Sequence, residues 1–305
     1  MKMVTSVLVL SHQGLGDIIS SIPIYNALRT EYPDATITST VKGYSEKRLL
    51  ESQGLSDLFI MSDIYSMTFV KRFFFLLGFL FKNYSIVIAP VGINIKYAVI
   101  IKCVSFSKKM IAKIKNKLEI IGIKEFVIFH PSAQYKYKVY SQKLRDDLLK
   151  LLSQLNITVV VTGGSNEIDL LIKKSLPKLD NVLNWIGQTS IEEYIALSEI
   201  SKGYIGMDTL NMHIAAAQNK RVFAIFGPTR LSMWSPWSNE LQVSATKDMP
   251  IQHYGNITIF QADMPCVACG KAGCKDKKGI SECLDNIRPQ VIANEVEKWF
   301  KYARF

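Results

Sequence analysis

Residues 126–176 read FVIFHPSAQYKYKVYSQKLRDDLLKLLSQLNITVVVTGGSNEIDLLIKKSL. Two short runs rich in β-branched and aromatic residues, Phe126–His130 and Ile157–Thr162, are each followed by a longer amphipathic segment. The short apolar runs predict strands buried on both faces, and the longer segments, Gln142–Leu155 and Asn166–Leu176, have the spacing of helices. Strands that alternate with helices predict a parallel sheet covered by helices on both sides.

The same alternation fills the front of the chain, which begins with a predicted strand at Val4–Leu10. A chain of 305 residues is long for one core, since domains usually hold about 100–200 residues. A lysine-rich segment, residues 108–125, interrupts the apolar pattern. We therefore predict two α/β domains, residues 1–120 and 121–305, the second of which includes a cysteine segment at 266–283 and a C-terminal helix.

The composition is that of a folded protein, with 48% apolar residues and a formal net charge of +11. It excludes a disordered or low-complexity chain. No apolar run reaches the ~20 residues that a membrane-spanning helix needs, and the first apolar run is too short for a signal peptide, so we expect a cytoplasmic protein. The basic charge favours anionic partners, although a solvated charged surface explains the same count.

The first predicted strand ends at a glycine loop, Gly14-Leu15-Gly16-Asp17. Gly14 and Gly16 allow the backbone to turn tightly and to approach a ligand. Asp17 stands at the start of the next helix, where it either faces a ligand at the end of the sheet or caps the helix. The loop lacks the full G-x-G-x-x-G pattern of a dinucleotide site.

A second strand end reads Thr162-Gly163-Gly164-Ser165-Asn166-Glu167. Gly163 and Gly164 expose backbone N–H groups at the start of a helix, a position that attracts anions. Glu167 suits the hydroxyl groups of a ribose, and it equally suits the positive end of the helix dipole. A single glycine pair therefore leaves an anion site and an ordinary helix start both open.

A third strand end carries Asp208, Thr209 and His213. Thr209 and His213 are four residues apart, so a helix that begins at Thr209 presents both on one face. We expect the hydroxyl, the imidazole and the free N–H groups to surround a space of the size of an anion. The alternative is that His213 is a hydrogen-bonded core residue.

Four stretches, in order, carry a family resemblance. They are GLGDIISSIPIYNALRTEYPDATIT at 14–38, HPSAQYKYKVYS at 130–141, TGGSNE at 162–167, and Gly187 to Thr229, which ends HIAAAQNKRVFAIFGPT. Together they resemble glycosyltransferase family 9, the lipopolysaccharide heptosyltransferase family. In the second stretch Lys138 stands at the family's lysine and Tyr140 at its aromatic residue.

The resemblance implies a GT-B fold, in which two Rossmann-like domains with parallel sheets face each other across a cleft. It implies an acceptor bound mainly by the front domain, and a nucleotide-sugar, ADP-heptose in this family, bound by the back one. Family members invert the anomeric centre without a catalytic metal, and Asp17 corresponds to the general base that takes the acceptor's proton. The implied donor-binding residues are Lys138, Gly163, Gly164, Glu167, Asp208, Thr209 and His213.

We therefore expect an inverting glycosyltransferase that moves a heptose or a related sugar to a hydroxyl group of a surface glycan or a lipid-linked saccharide. Two departures from the family pattern concern specificity. Leu210 replaces the usual glycine beside the expected diphosphate, and the front domain is short between Ser85 and His130. Another nucleotide-sugar donor, a protein acceptor and a relative that only binds the nucleotide-sugar are the alternatives.

Four cysteines near the C-terminus have the spacing C-x2-C-x4-C-x8-C, namely Cys266, Cys269, Cys274 and Cys283. Four thiolates can hold a structural zinc or iron ion, which we expect to pin the C-terminal segment and to take no part in the chemistry. The spacing leaves free thiols and disulfides open, the latter being rare in a reducing compartment.

Residues 73–81, FFFLLGFLF, have basic residues on both sides. Nine apolar residues cannot cross a bilayer, but with basic flanks they suit an anionic membrane surface, and they equally suit a buried helix. We expect peripheral contact with the inner face of the cytoplasmic membrane. A nucleic-acid-binding protein also explains the basic charge and the cysteines, but it leaves the polar strand ends without a purpose, so we expect no nucleic-acid partner.

Overall fold

The computed structural model describes residues 5–10, 15–61, 84–88, 108–274 and 279–302. The chain divides into two compact units, Met1–Ser105 and Phe106–Phe305. Among the described residues, no helix has the length and apolar character needed to cross a membrane.

The first unit is built on a parallel sheet of four strands in the order β3-β2-β1-β4. Its described elements are β1 (Ser6–Val9), α1 (Leu15–Glu31), β2 (Thr36–Val41), α2 (Tyr44–Ser52), β3 (Leu58–Met61) and β4 (Ile86–Ile88). The central strands are almost wholly buried, as the continuous apolar run in β1 predicts. A buried hydrogen bond of 2.9 Å from Tyr25 to Ser39 joins α1 to β2.

The second unit is built on a sheet of seven strands in the order β10-β11-β9-β8-β5-β6-β7. Its strands are β5 (Val127–His130), β6 (Val159–Val161), β7 (Val182–Asn184), β8 (Gly203–Met207), β9 (Arg221–Ile225), β10 (Ile251–Tyr254) and β11 (Ile257–Phe260). Its helices are α3 (Lys108–Ile120), α4 (Gln142–Gln154), α5 (Glu167–Ser175), α6 (Ile191–Ile200), α7 (Leu210–Ala217), α8 (Leu231–Trp234), α9 (Glu282–Asp285) and α10 (Pro289–Tyr302). All neighbouring strands pair in parallel except β10 and β11.

The central strands of this sheet are buried on both faces because helices cover both sides. At the contact of β5 with β8, a Cβ at Gly206 would stand 2.4 Å from the carbonyl oxygen of His130. Only glycine fits there, so this residue sets how closely the two strands approach. Tyr140 holds the segment after β5 in place, because its buried hydroxyl donates to the carbonyl of Ile287.

The boundary between the units differs from the predicted one, because α3 belongs to the second unit. Lys113, Lys115 and Lys117 are exposed on the outer side of this amphipathic helix, and Ile114 and Leu118 are buried on its inner side. Lys113 pairs with Glu193 of α6 at 2.7 Å, so the lysine-rich segment is a packed helix of the second unit and no linker.

Candidate functional site

The carboxyl ends of β9, β8, β5 and β6 lie side by side at one edge of the second sheet. The register makes these ends level, since Met207 pairs with Ile225, and His130 pairs with Gly206. In open α/β sheets ligands bind at this edge. The polar residues predicted after separate strands are therefore presented along a single edge.

A partly buried ion pair occupies the middle of this edge. The Nζ atom of Lys138 lies 2.9 Å from Oδ2 of Asp208, and the two side chains are 20% and 5% exposed. The same Nζ atom stands 5.8 Å from the centre of the Trp234 ring. Lys138 therefore neutralises the Asp208 carboxylate, which on its own would repel an anion bound at this edge.

His213 faces the same pair. Burial is the main cause that lowers the pKa of His213, to about 4; the Asp208 carboxylate raises it and the Lys138 ammonium lowers it further. At neutral pH the imidazole is therefore uncharged and acts as a hydrogen-bonding group. The structure brings together three of the predicted residues, Lys138, Asp208 and His213.

Thr209 takes a different place from the predicted one. Helix α7 begins at Leu210, and Thr209 is its N-cap with extended backbone. Its hydroxyl lies 3.3 Å from the buried hydroxyl of Tyr204. The prediction that Thr209 lies within the helix, one turn before His213, is wrong, because the chain is still extended at the end of β8.

The glycine loop after β6 packs on a buried carboxylate. A Cβ at Gly163 would lie 2.7 Å from Oδ1 of Asp169, and one at Gly164 would lie 3.0 Å from Oδ2. The glycines are thus needed to cover Asp169, a reason that the sequence analysis did not find. Glu167 is exposed as the first residue of α5, and within the described chain no hydrogen bond or ion pair joins it to Lys138 or Asp208.

Two buried hydroxyl groups at this edge were missed by the sequence analysis. Ser132 follows β5 and is 1% exposed, and Thr229 follows β9 and is 7% exposed. Within the described part of the chain neither hydroxyl has a hydrogen-bond partner. Ser132 stands directly after a strand end, which was a signal, whereas the lack of a partner becomes evident only in three dimensions. Unpaired buried hydroxyls are costly, so these two hydroxyls are candidates to form hydrogen bonds with a ligand at this edge.

His130 at the end of β5 is the second neutral histidine of the edge. Burial lowers its pKa to about 4, and the nearby Asp169 carboxylate acts in the opposite direction. Its Nδ1 atom lies 3.1 Å from Oγ1 of Thr162 and 3.0 Å from Nδ2 of Asn211. Tyr194 packs edge-on against the ring, with 6.4 Å between the ring centres.

The lowered pKa of His130 predicts a pH dependence of stability. The folded state takes up this proton near pH 4, but the unfolded state takes it up near pH 6.5, so stability falls as the pH drops from 6.5 towards 4. In His130→Gln we expect the loss between pH 6.5 and 5 to be smaller by about 2 kcal/mol. Urea unfolding of both proteins at the two pH values measures the difference; equal losses contradict a neutral buried His130.

The chain matches a known protein family over most of its length. Residues 42–258 match the family described as glycosyltransferase family 9 (heptosyltransferase), which is more than half of the chain. The chain belongs to glycosyltransferase family 9. A similar curated relative is lipopolysaccharide heptosyltransferase 3 of Escherichia coli K12, 28% identical over 174 residues, which are 55% of this chain and 50% of that protein. The chain thus spans about half the length of the curated relative that it matches.

Solved structures share the GT-B fold of this family. An E. coli ADP-heptose lipopolysaccharide heptosyltransferase II superposes with a TM-score of 0.68 at 16% identity, covering 99% of this chain and all of that one. The iron-containing dodecameric glycosyltransferase TibC of enterotoxigenic E. coli H10407 superposes with a TM-score of 0.62 at 11% identity, covering 99% of this chain and 78% of that one. At these identities the likeness concerns the fold, and it confirms the predicted GT-B class.

The family match does not extend to the front glycine loop or to the cysteine segment. Gly14 lies outside the described residues. Gly16 and Asp17 are in the first turn of α1, which begins at Leu15, and the structure does not describe the Asp17 side chain. The role of Asp17 thus depends on the sequence resemblance alone. The apolar stretch 73–81 also lies outside the described residues.

The four cysteines are free thiols that lie near one another. Cys266 and Cys269 are exposed and Cys283 is buried; burial, followed by the charges of the other three, raises the pKa of the Cys283 thiol to about 11. Among the described residues, however, no group of three or more His, Cys, Asp or Glu side chains converges on a point where a metal ion fits. The predicted tetrahedral metal site is therefore not formed by this arrangement of the thiols.

Proposed function

We propose that the chain is an inverting glycosyltransferase that transfers a heptose, or a closely related sugar, from ADP-heptose to a hydroxyl group of a surface glycan or lipid-linked saccharide. The observation that carries the proposal is the Lys138–Asp208 pair at the sheet edge, next to the start of α7 and between two unpaired buried hydroxyls. Family membership supplies the reaction class, since every element of this edge lies within the matched residues.

The donor diphosphate is expected to bind across this edge. The first N–H groups of α7 have no acceptor within the helix and carry its positive dipole end. The Lys138 ammonium, which Asp208 holds in position at 2.9 Å, can donate hydrogen bonds to phosphate oxygens while it offsets the charge of that carboxylate. The Ser132 and Thr229 hydroxyls and neutral His213 can donate hydrogen bonds to phosphate oxygens, and exposed Glu167 can accept bonds from ribose hydroxyls.

The proposed reaction is a single displacement. The acceptor oxygen forms a bond to the anomeric carbon as its proton passes to the Asp17 carboxylate, and the bond from that carbon to the phosphate oxygen breaks. ADP leaves with the bonding electrons, and the negative charge that develops on its terminal phosphate is stabilised by Lys138 and the start of α7. Attack opposite to the leaving group inverts the anomeric configuration. No step in this scheme uses a metal ion.

ADP-heptose is proposed as donor because the family is a heptosyltransferase family and one structural relative is described as an ADP-heptose enzyme. Leu210 is the residue that we expect to adjust the donor site, since it is the first residue of α7, is partly exposed, and stands where the diphosphate is expected to bind. We further propose a cytoplasmic protein in peripheral contact with the membrane that carries a lipid-linked acceptor.

A turnover assay tests this function. The protein is incubated with ADP-heptose and a lipooligosaccharide acceptor that lacks its outer heptose, and ADP release and the acceptor mass are followed with and without EDTA. We expect ADP release together with the gain of one heptosyl residue, an inverted linkage by NMR, and no effect of EDTA. ADP-heptose that stays intact in the presence of bound acceptor contradicts the proposal and favours a relative that only binds the donor.

For the cysteine segment we propose one structural zinc or iron ion, on whose binding the four thiols move together. Support comes from the donor set and from the mutual electrostatic influence of Cys266, Cys269, Cys274 and Cys283. Protein isolated without chelator is expected to contain about one metal ion per chain and to lose it together with several degrees of melting temperature in a strong chelator.

A second measurement is the order in which the four thiols react with a thiol reagent after the metal has been removed. Cys266 and Cys269 are expected to react first, and buried Cys283, whose thiol pKa is about 11, is expected to react last. Protein that is free of metal as isolated, and whose melting temperature does not respond to zinc or iron, contradicts the structural ion.

A further inference from the structure

We propose that Asn211 is a positioning residue of the donor site: its amide fixes the tautomer of His130 and thereby locks the start of α7 to the glycine loop after β6. This inference rests on the proposed function and deepens it. It concerns how the N–H groups of α7 are held in place, and it names a residue to which neither the family pattern nor the sequence analysis gives a role.

The contact joins three strand ends. Asn211 is the second residue of α7, after β8; His130 ends β5; and Thr162 follows β6. Nδ2 of Asn211 lies 3.0 Å from Nδ1 of His130, which lies 3.1 Å from Oγ1 of Thr162. Since Thr162 is followed by Gly163 and Gly164, a shift of α7 along its axis would be transmitted to the loop that starts α5.

The chemistry of the contact defines the tautomer. The amide nitrogen of Asn211 can only donate, so Nδ1 of His130 accepts from it and carries no proton, and the Thr162 hydroxyl then faces the same nitrogen as a second donor. Burial lowers the pKa of His130 to about 4, so the ring is neutral at pH 7. The single ring proton therefore resides on Nε2.

The surroundings make this contact rigid. His130 is 7% exposed and Thr162 is fully buried, and the imidazole packs between Tyr194 at 6.4 Å and Tyr204 at 6.5 Å. Tyr204 in turn donates to the carbonyl of Met207 at 2.8 Å, just before the ion-paired Asp208. The two tyrosine rings thus keep the imidazole in one orientation, with Nδ1 towards both the Asn211 amide and the Thr162 hydroxyl.

In this chain the start of α7 needs a side-chain contact of this kind to hold it in place. Leu210 brings a side chain to the position where the family pattern has glycine, directly beside the proposed diphosphate. Thr209, the N-cap residue, makes no side-chain cap to the helix. With no cap from Thr209, the Asn211–His130 contact is a polar bond that ties the first turn of α7 to the neighbouring strand.

Nitrogen-15 NMR of the histidine side chains tests the tautomer without any ligand. The chain has four histidines, and His130→Gln assigns the signals of interest. We expect an unprotonated Nδ1 and a protonated Nε2 in the wild-type protein at pH 7. In Asn211→Asp the carboxylate can only accept, so Nδ1 is expected to become protonated. A wild-type spectrum with a proton on Nδ1, or an unchanged spectrum in Asn211→Asp, overturns the proposal.

ADP affinity tests the positioning role. We expect Asn211→Leu, which has a similar shape, to weaken ADP binding at least tenfold by calorimetry. The matched control is Asn181→Leu. The Asn181 amide, just before β7, donates to the carbonyls of Ser153 in α4 and of Ile157 before β6. These groups lie at the amino ends of the strands, at the opposite end of the sheet from the proposed donor site. Asn181→Leu should lower the melting temperature and leave the ADP dissociation constant within twofold.

The outcomes separate the inference from the function on which it rests. If Asn211→Leu lowers the melting temperature but leaves ADP affinity within twofold, the residue is merely structural and the inference fails. If the wild-type protein binds no nucleoside diphosphate, the proposed donor site fails, and the histidine spectra still decide whether Asn211 sets the tautomer of His130.

Discussion

Asp17→Ala is expected to reduce sugar transfer by about 1,000-fold, because an acceptor hydroxyl without a base keeps its proton and attacks slowly. Asp17 belongs to α1 of the first unit, whereas the donor edge belongs to the sheet of the second unit. The dissociation constant for ADP and the melting temperature should therefore stay close to those of the wild-type protein. Transfer rates at saturating donor, together with calorimetry, measure the two effects separately.

Asp34→Ala is the matched control for Asp17→Ala. It removes the same charge from an exposed position in the turn after α1, and transfer should be unchanged. Asp17→Asn keeps the shape and hydrogen-bonding capacity of the side chain but lacks a basic carboxylate, so it should be as inactive as the alanine variant. Full activity in either Asp17 variant would show that this residue is a helix-starting aspartate and that the base lies elsewhere.

Lys138→Ala is expected to weaken ADP binding about 100-fold and to lower kcat/KM for the donor at least as much, because it removes the ammonium group that is expected to bond the diphosphate. It also leaves Asp208, 5% exposed, without its partner, so a lower melting temperature is expected. Calorimetry with ADP and a thermal melt of the free protein provide the two measurements.

The double variant Lys138→Ala, Asp208→Asn separates these effects. Since the asparagine carries no charge, the melting temperature should largely recover, whereas ADP affinity should not. Lys136→Ala, an exposed lysine on the same loop, is the control and should leave affinity within twofold. ADP affinity that follows the melting temperature through all three variants would contradict a direct role of Lys138.

The buried strands and the polar strand ends of the second unit could be predicted from the sequence because they depend on local patterns. Continuous apolar runs mark β5, β6 and β8, and a parallel sheet then aligns the residues that follow them. Asp208 and His213 were singled out in this way, whereas Lys138 was assigned from the family resemblance. The pairing of Lys138 with Asp208 across 70 residues depends on the register of β5 and β8, which no local pattern specifies.

Other features depend on contacts that composition does not reveal. Asp169 looks like an ordinary helix residue in the sequence, and only the fold places its carboxylate under the glycine pair. The hairpin of β10 and β11 was missed although Gly255-Asn256 between two alternating runs is a hairpin signal. The domain boundary was predicted too late in the chain because the lysine-rich segment was not recognised as a helix of the second unit. A helix with a charged outer face and a short buried face resembles a linker in the sequence.

Binding of nucleotides is the most direct test of the central claim, that the edge formed by β9, β8, β5 and β6 is a donor site for an adenine nucleotide-sugar. Thermal unfolding is measured with ADP, ADP-heptose, UDP, UDP-glucose and GDP-mannose, each at about 100 times the dissociation constant expected for a donor. The account predicts that ADP and ADP-heptose raise the melting temperature by about 5–10 °C and that the others do not. A shift with a uridine or guanosine nucleotide instead would contradict the adenine donor, and no shift with any nucleotide would contradict the donor site itself.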